Sequence, residues 1–263
     1  MADITVRYFS GCLKRRNTFG LYLPNDFQND SPWEQQDRDG APRRMKTLFL
    51  LHGYSSNAWN WVPEQLCREY GIAVVTPEGE NGFWLDGLST GHKYCTMLGE
   101  EMISYLRNTF GLAKAREDTC LLGFSMGGFG ALHTGLAYPE VFGRIGAMSS
   151  ALIVHEVAGM TPGSGNGIAN YEYYRECFGE PSEVLESTAN PEFLADRLLS
   201  EGRELPKIYM CCGTEDFLLE NNRQFHRFLE SRSIPHEYRE SPGTHDMPFW
   251  NEYTEKVIRW MFG

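Results

Sequence analysis

Hydrophobic and polar positions change period several times along the chain, and each change marks an element. Ile4 to Phe9 and Thr18 to Leu23 alternate as half-buried strands do, and the polar stretch from Gly11 to Asn17 joins them. That pattern predicts an antiparallel pair. Asn25 to Arg44 is polar and acidic with two prolines, and reads as a surface loop longer than the elements around it need. Thr47 to Leu51 is then continuously apolar, as a strand buried on both faces must be.

From this point helical and strand-like stretches take turns. A helix is predicted from about Ala58 to Tyr70, then a strand from Ile72 to Val75. A second helix, Leu98 to Phe110, precedes the strand Thr119 to Leu122. A third, Met126 to Ala137, precedes Ile145 to Met148. Repeated strand–helix–strand units imply an α/β fold with a mostly parallel, doubly wound sheet. The alternation lapses between Ser149 and Leu205 into glycine-rich and then aromatic-acidic sequence, including Tyr171, Tyr173, Tyr174 and Phe178. Residues 149–205 are therefore expected to form a small cap or pocket wall over the C-terminal edge of the sheet. The pattern resumes with a strand at Lys207 to Cys212, a helix at Asn221 to Ser231, a strand at His236 to Glu240 and a helix at Phe249 to Met261. One domain spanning 1–263 is expected, with no internal repeat.

One serine stands where such a fold exposes a side chain. Gly123-Phe124-Ser125-Met126-Gly127 joins the end of a buried strand to the start of a helix, the setting of a nucleophile elbow. There the turn pushes the central side chain above the sheet at a helix N-terminus, whose dipole favours negative charge. A serine hydroxyl reacts poorly without a base, and the base needs an acid to hold its tautomer. Asp216 and His245 follow the strands 207–212 and 236–240, in the order acid then histidine, so all three side chains can rise from one edge of one sheet. Glu215 is the nearest rival to Asp216, with Asp216 ahead. Asp246 is expected to cap the last helix.

Backbone donors for a developing oxyanion are expected at Met126 N–H and at Tyr54 N–H, in the loop His52-Gly53-Tyr54-Ser55; each is typically worth about 3–4 kcal/mol in barrier height. His52 is expected to brace that loop. Trp59 and Trp84 read first as core residues, but they stand on segments that should border the pocket and are the candidate contacts to an acyl or aryl group of the substrate. Trp250 is expected to pack the last helix.

Composition narrows the partners. A net charge of −11 argues against nucleic acid. No run approaches the roughly 18 apolar residues of a membrane span, and the first residues lack the basic and apolar regions of a secretory signal. The seven cysteines show no C-x-x-C spacing, so neither a metal site nor a redox pair is expected. These features point to a cytoplasmic enzyme acting on a small molecule; the serine chemistry calls for no cofactor, and a homo-oligomer is left open.

Four stretches carry a family resemblance: Leu50-Leu51-His52-Gly53-Tyr54, Gly123 to Ala131, Cys212 to Leu218 and His245 to Trp250. Together they resemble the putative-esterase family of α/β-hydrolases, which holds tributyrin esterases, S-formylglutathione hydrolases of the esterase D type, and feruloyl or acetylxylan esterases. The Gly-Thr-Glu-Asp-Phe-Leu and His-Asp-x-x-Phe-Trp stretches look most like the tributyrin-esterase branch. The resemblance implies an α/β-hydrolase fold, a triad of Ser125, Asp216 and His245, and an oxyanion hole at Tyr54 and Met126. It implies hydrolysis of small acyl esters through an acyl-enzyme. S-Formylglutathione thioester hydrolysis or feruloyl and acetylxylan esterase activity are the alternatives, and acyl transfer ranks below them.

Overall fold

The computed structural model describes residues 1–24, 45–56 and 62–263. The loop expected at 25–44 and the start of the helix expected at Ala58 lie outside the described residues.

Eight strands build one sheet: β1 (Ala2–Ser10), β2 (Arg15–Leu23), β3 (Lys46–Leu51), β4 (Ile72–Pro77), β5 (Thr119–Phe124), β6 (Arg144–Met148), β7 (Lys207–Gly213) and β8 (His236–Ser241). Their spatial order is β1-β2-β4-β3-β5-β6-β7-β8. β1 pairs with β2 antiparallel, as the alternating pattern predicts, and β2 joins β4 antiparallel. Every other pairing is parallel.

The helices are α1 (Glu64–Tyr70), α2 (Tyr94–Thr96), α3 (Ile103–Thr109), α4 (Met126–Ala137), α5 (Val154–Ala158), α6 (Tyr171–Phe178), α7 (Pro191–Ser200), α8 (Leu219–Ser231) and α9 (Met247–Phe262). α2 runs into α3 through a π-helical turn at Met97–Met102. This helical stretch begins four residues earlier than the periodicity predicts. Asp86, distant in sequence from the helix, accepts from the Thr96 N–H at 3.0 Å and so serves the exposed donors of its first turn.

The continuous apolar runs are explained by two cores, one on each face of the sheet. β3 sends Phe49 and Leu51 into one and Leu48 and Leu50 into the other; β5 divides Leu121 from Cys120 and Leu122 in the same way. The first core lies under α4 and the segments 83–112 and 151–198. The second is closed by α1 and α9. Period-two side chains on a sheet covered on both faces must all be apolar, so the alternation vanishes.

Register brings the strand ends level. Leu51 pairs with Gly123, Phe124 with Met148, Met148 with Cys211, and Gly213 with Ser241. The loops after β3, β5, β6, β7 and β8 therefore leave from one edge, where ligand sites in open parallel sheets form.

Candidate active site

Ser125 turns between β5 and α4 with φ 56° and ψ −123°, a left-handed backbone that a non-glycine residue holds only where its surroundings impose it. Here they do. Its N–H donates to Met148 O at 2.9 Å, and its carbonyl accepts from Ala151 N at 3.0 Å and Phe129 N at 3.1 Å. Both flanking glycines are needed for close approach. A Cβ on Gly123 would stand 2.2 Å from Gly127 O, and one on Gly127 would stand 2.0 Å from Leu51 O. The elbow is thus pressed against β3, with no room for a methyl group on either side.

The acid and the base are delivered by two loops tied to each other. A Cβ on Gly213 would meet Gly243 O at 2.2 Å, so the glycine lets the end of β7 lie on the loop after β8. Thr214 N donates to Ser241 O at 2.9 Å, and Glu215 N to Gly243 O at 3.0 Å. Glu215, the sequence rival to Asp216, spends its carboxylate on Gly243 N at 2.7 Å and so fastens the two loops rather than facing the imidazole. Asp216, 5% exposed, receives His245 Nδ1 at 2.9 and 3.1 Å and the Leu218 N–H at 2.8 Å. Burial alone would raise its pKa; the hydrogen bonds from His245 and Leu218 outweigh it and hold the carboxyl below its ordinary range. On the far side of the ring, His245 Nε2 lies 2.9 Å from Ser125 Oγ. With Nδ1 donating to the carboxylate, Nε2 is left as the acceptor for the serine proton.

Aromatic rings hold the imidazole. Trp250 meets it edge to face at a centroid distance of 4.9 Å and stacks on Phe124 at 4.3 Å, while Phe217 lies 4.5 Å from it on another side. Trp250 thus supports His245 as well as packing α9. Asp246 caps α9, accepting from Phe249 N at 3.1 Å.

The loop after β3 runs beside the elbow: a Cβ on Gly53 would lie 3.3 Å from Ser125 Cβ. Met126 is the first residue of α4, where the helix offers its N–H no carbonyl one turn back. Tyr54 and Met126, the two expected oxyanion donors, line the same pocket as Ser125. Buried contacts fix the loop. His52 Nδ1 donates to Gly53 O at 2.8 Å and its Nε2 accepts from Gly79 N at 3.0 Å, which sets a neutral tautomer; burial pushes its pKa down. Ser55 N donates to Asn81 Oδ1 at 2.8 Å, and Tyr173 on α6 donates to Asn81 O.

Trp84 is not at the pocket. It is wholly buried, its ring lies against Gly130 of α4 and Gly79, and its Nε1 donates to His52 O at 3.2 Å. The flat indole fits where two glycines leave space and its one polar atom finds a carbonyl, so in place of the expected substrate contact it is a prop beneath the loop after β3. Trp59 lies outside the described residues.

A pocket of about 290 Å³ opens beside Ser125. Phe83, Ile153, Ile168, Tyr174 and Phe217 give it an apolar lining, with Glu156, Asn166 and Asn221 as its polar groups. Sequence reading missed most of these. The aromatic signal of 171–178 pointed to Tyr174, but α5 and α8 carry no motif that separates pocket residues from surface ones. Among the described residues, no group of side chains is arranged to hold a metal ion, and no helix is long and apolar enough to cross a membrane.

Such an arrangement can take the proton of a hydroxyl and so activate its oxygen for attack on a carbonyl carbon. Comparisons with known proteins agree. The family described as Putative esterase matches residues 10–255. An acetyl esterase of Caldicellulosiruptor saccharolyticus is 38% identical, the match covering 99% of this chain and 98% of that one. Among solved structures, the fluorophosphonate-binding serine hydrolase FphF of Staphylococcus aureus is 25% identical with a TM-score of 0.83, covering 100% of this chain and 98% of its own. The S-formylglutathione hydrolase FrmB of Staphylococcus aureus is 26% identical with a TM-score of 0.81, covering 100% and 99%.

Proposed function

Because this chain belongs to the Putative esterase family, we propose that it is a serine carboxylesterase that hydrolyses small acyl esters, acetyl esters among them, through an acyl-enzyme on Ser125. The observation that carries this reading is the unbroken chain of hydrogen bonds from Ser125 Oγ through His245 to Asp216, set at the wall of a pocket with room for a small acyl group.

Ser125 Oγ attacks the ester carbonyl while His245 Nε2 takes its proton. The carbonyl oxygen gains a negative charge and is received by the backbone N–H groups of Tyr54 and Met126. Asp216 orients the ring and stabilises the imidazolium without taking the proton itself. Collapse of the tetrahedral intermediate breaks the bond to the alcohol oxygen, and His245 returns the proton to that oxygen. Water then attacks the acyl-enzyme, giving its proton to His245; the acid leaves and Ser125 regains its hydrogen. The scheme calls for no cofactor. Residues 149–205 act as the cap, since Ile153, Glu156, Asn166, Ile168 and Tyr174 all line the pocket, within one domain spanning 1–263. All seven cysteines are unpaired, which favours a reducing compartment, the cytoplasm.

A thioester reading, hydrolysis of S-formylglutathione, uses the same groups and is favoured by the likeness to FrmB. Ser125→Ala tests both. The variant should fold, fail to react with a fluorophosphonate probe and lose several orders of magnitude of kcat toward p-nitrophenyl acetate. Near-normal turnover by this variant refutes the reading.

A further inference from the structure

Among the described residues lining the pocket beside Ser125, a single one carries charge: Glu156, on the short helix α5. Its Oε1 accepts from Asn221 Nδ2 of α8 at 2.8 Å. Asn221 also donates to Leu152 O at 3.4 Å, so the amide that holds the carboxylate is itself held by the segment leading into α5. The second carboxylate oxygen has no protein partner among the described residues. The basic side chains nearest in sequence are occupied elsewhere: His155 meets Glu192 at 3.1 Å, Arg223 pairs with Glu240 at 2.7 Å, and Arg227 with Glu220 at 2.6 Å. A negative charge thus stands at the solvent-exposed wall of a pocket whose other described lining residues are uncharged.

We propose that Glu156 selects substrate by charge, so that the esters taken by this pocket are neutral or cationic and those bearing a carboxylate against the α5–α8 wall are turned away. The inference rests on the esterase reading above and narrows its substrate class. It weighs against glutathione thioesters, which carry two carboxylates and one ammonium group. A neutral acyl ester of a hydroxylated alcohol meets no such obstacle, because the rest of the described lining carries no charge. A merely structural role, closing α5 onto α8, would be filled as well by glutamine and would leave charge preference untouched.

Two matched pairs of esters read the effect. One places the charge in the leaving group: 4-acetoxybenzoate against 4-acetoxybenzamide. The other places it in the acyl chain: monophenyl adipate against its terminal amide. The quantity measured is the ratio of kcat/KM for the anionic member to that for the neutral one. Like charges a few ångströms apart in a half-solvated site should depress this ratio about five- to tenfold in at least one pair. Glu156→Gln should restore it by about that factor, and Glu156→Lys should carry it further. Raising the ionic strength should raise the same ratio in the unaltered enzyme, because exposed charges are screened. Ratios within twofold of unity for both pairs in the unaltered enzyme would overturn the proposal, as would ratios that neither variant moves. Fluorophosphonate labelling separates the two levels: a labelled enzyme with no charge discrimination sinks only the role of Glu156. An enzyme that neither labels nor cleaves p-nitrophenyl acetate sinks the esterase reading itself.

Discussion

Asp216→Asn isolates the electrostatic part of the site with little change of shape. The asparagine carbonyl can still accept the Leu218 N–H now held at 2.8 Å, so the turn after β7 should survive. Two things are lost. The amide can donate to Nδ1, which draws the proton onto Nε2, so that the ring faces Ser125 with a donor where an acceptor is needed. The charge facing the developing imidazolium also disappears. At the 2.9 Å contact and an effective dielectric of 20, that attraction is about 6 kcal/mol, or about four orders of magnitude in rate. Glu215 cannot replace it, because its carboxylate is committed to Gly243 N. Steady-state turnover of p-nitrophenyl acetate, with thermal unfolding as a control for folding, should show kcat down about 10⁴-fold and Tm changed by only a few degrees. A folded variant within tenfold of the original kcat would refute the assignment of Asp216 and send the search for the acid elsewhere.

Three further outcomes are expected. Gly127→Ala forces a methyl group to 2.0 Å from the Leu51 carbonyl, a backbone atom that cannot step aside, and should cost about 3 kcal/mol or more in a denaturant titration. Trp84→Phe removes the donor to His52 O and loosens the loop that carries Tyr54; it should cost about 2 kcal/mol and lower kcat evenly across acyl lengths, whereas a shifted chain-length preference would return Trp84 to the pocket. His133, buried on α4 with Nε2 donating to Thr188 O at 2.7 Å, is held by burial at a pKa of about 4 against 6.5 ordinarily. Between these values the unfolded chain binds a proton that the folded chain refuses. Stability should therefore fall as pH drops from about 6.5 to 4, by on the order of 3 kcal/mol, and His133→Gln should flatten that slope in urea titrations at stepped pH.

The parts of this protein that local rules govern could be read from the amino-acid order. Period-two alternation revealed β1 and β2, apolar runs revealed strands with both faces covered, and Gly-x-Ser-x-Gly between a strand and a helix revealed the elbow, because steric demands at one turn act on adjacent residues. The order Ser125, Asp216, His245 followed from strand ends that share an edge. What local rules do not govern waited for the tertiary structure. Trp84 and Phe83 are neighbours, yet Trp84 is buried beneath the loop after β3 and Phe83 lines the pocket, and only the position of α4 and its Gly130 decides which ring goes where. Asp216 and Glu215 are also neighbours, and the close approach of Gly213 to Gly243 determines that one meets the imidazole and the other a backbone N–H. Glu156 and Asn221 stand 65 residues apart and nothing in either stretch marks them. Their meeting exists only because α5 and α8 pack at the same edge of the sheet, where a long-range contact fixes the charge of a pocket that the sequence could place but not line.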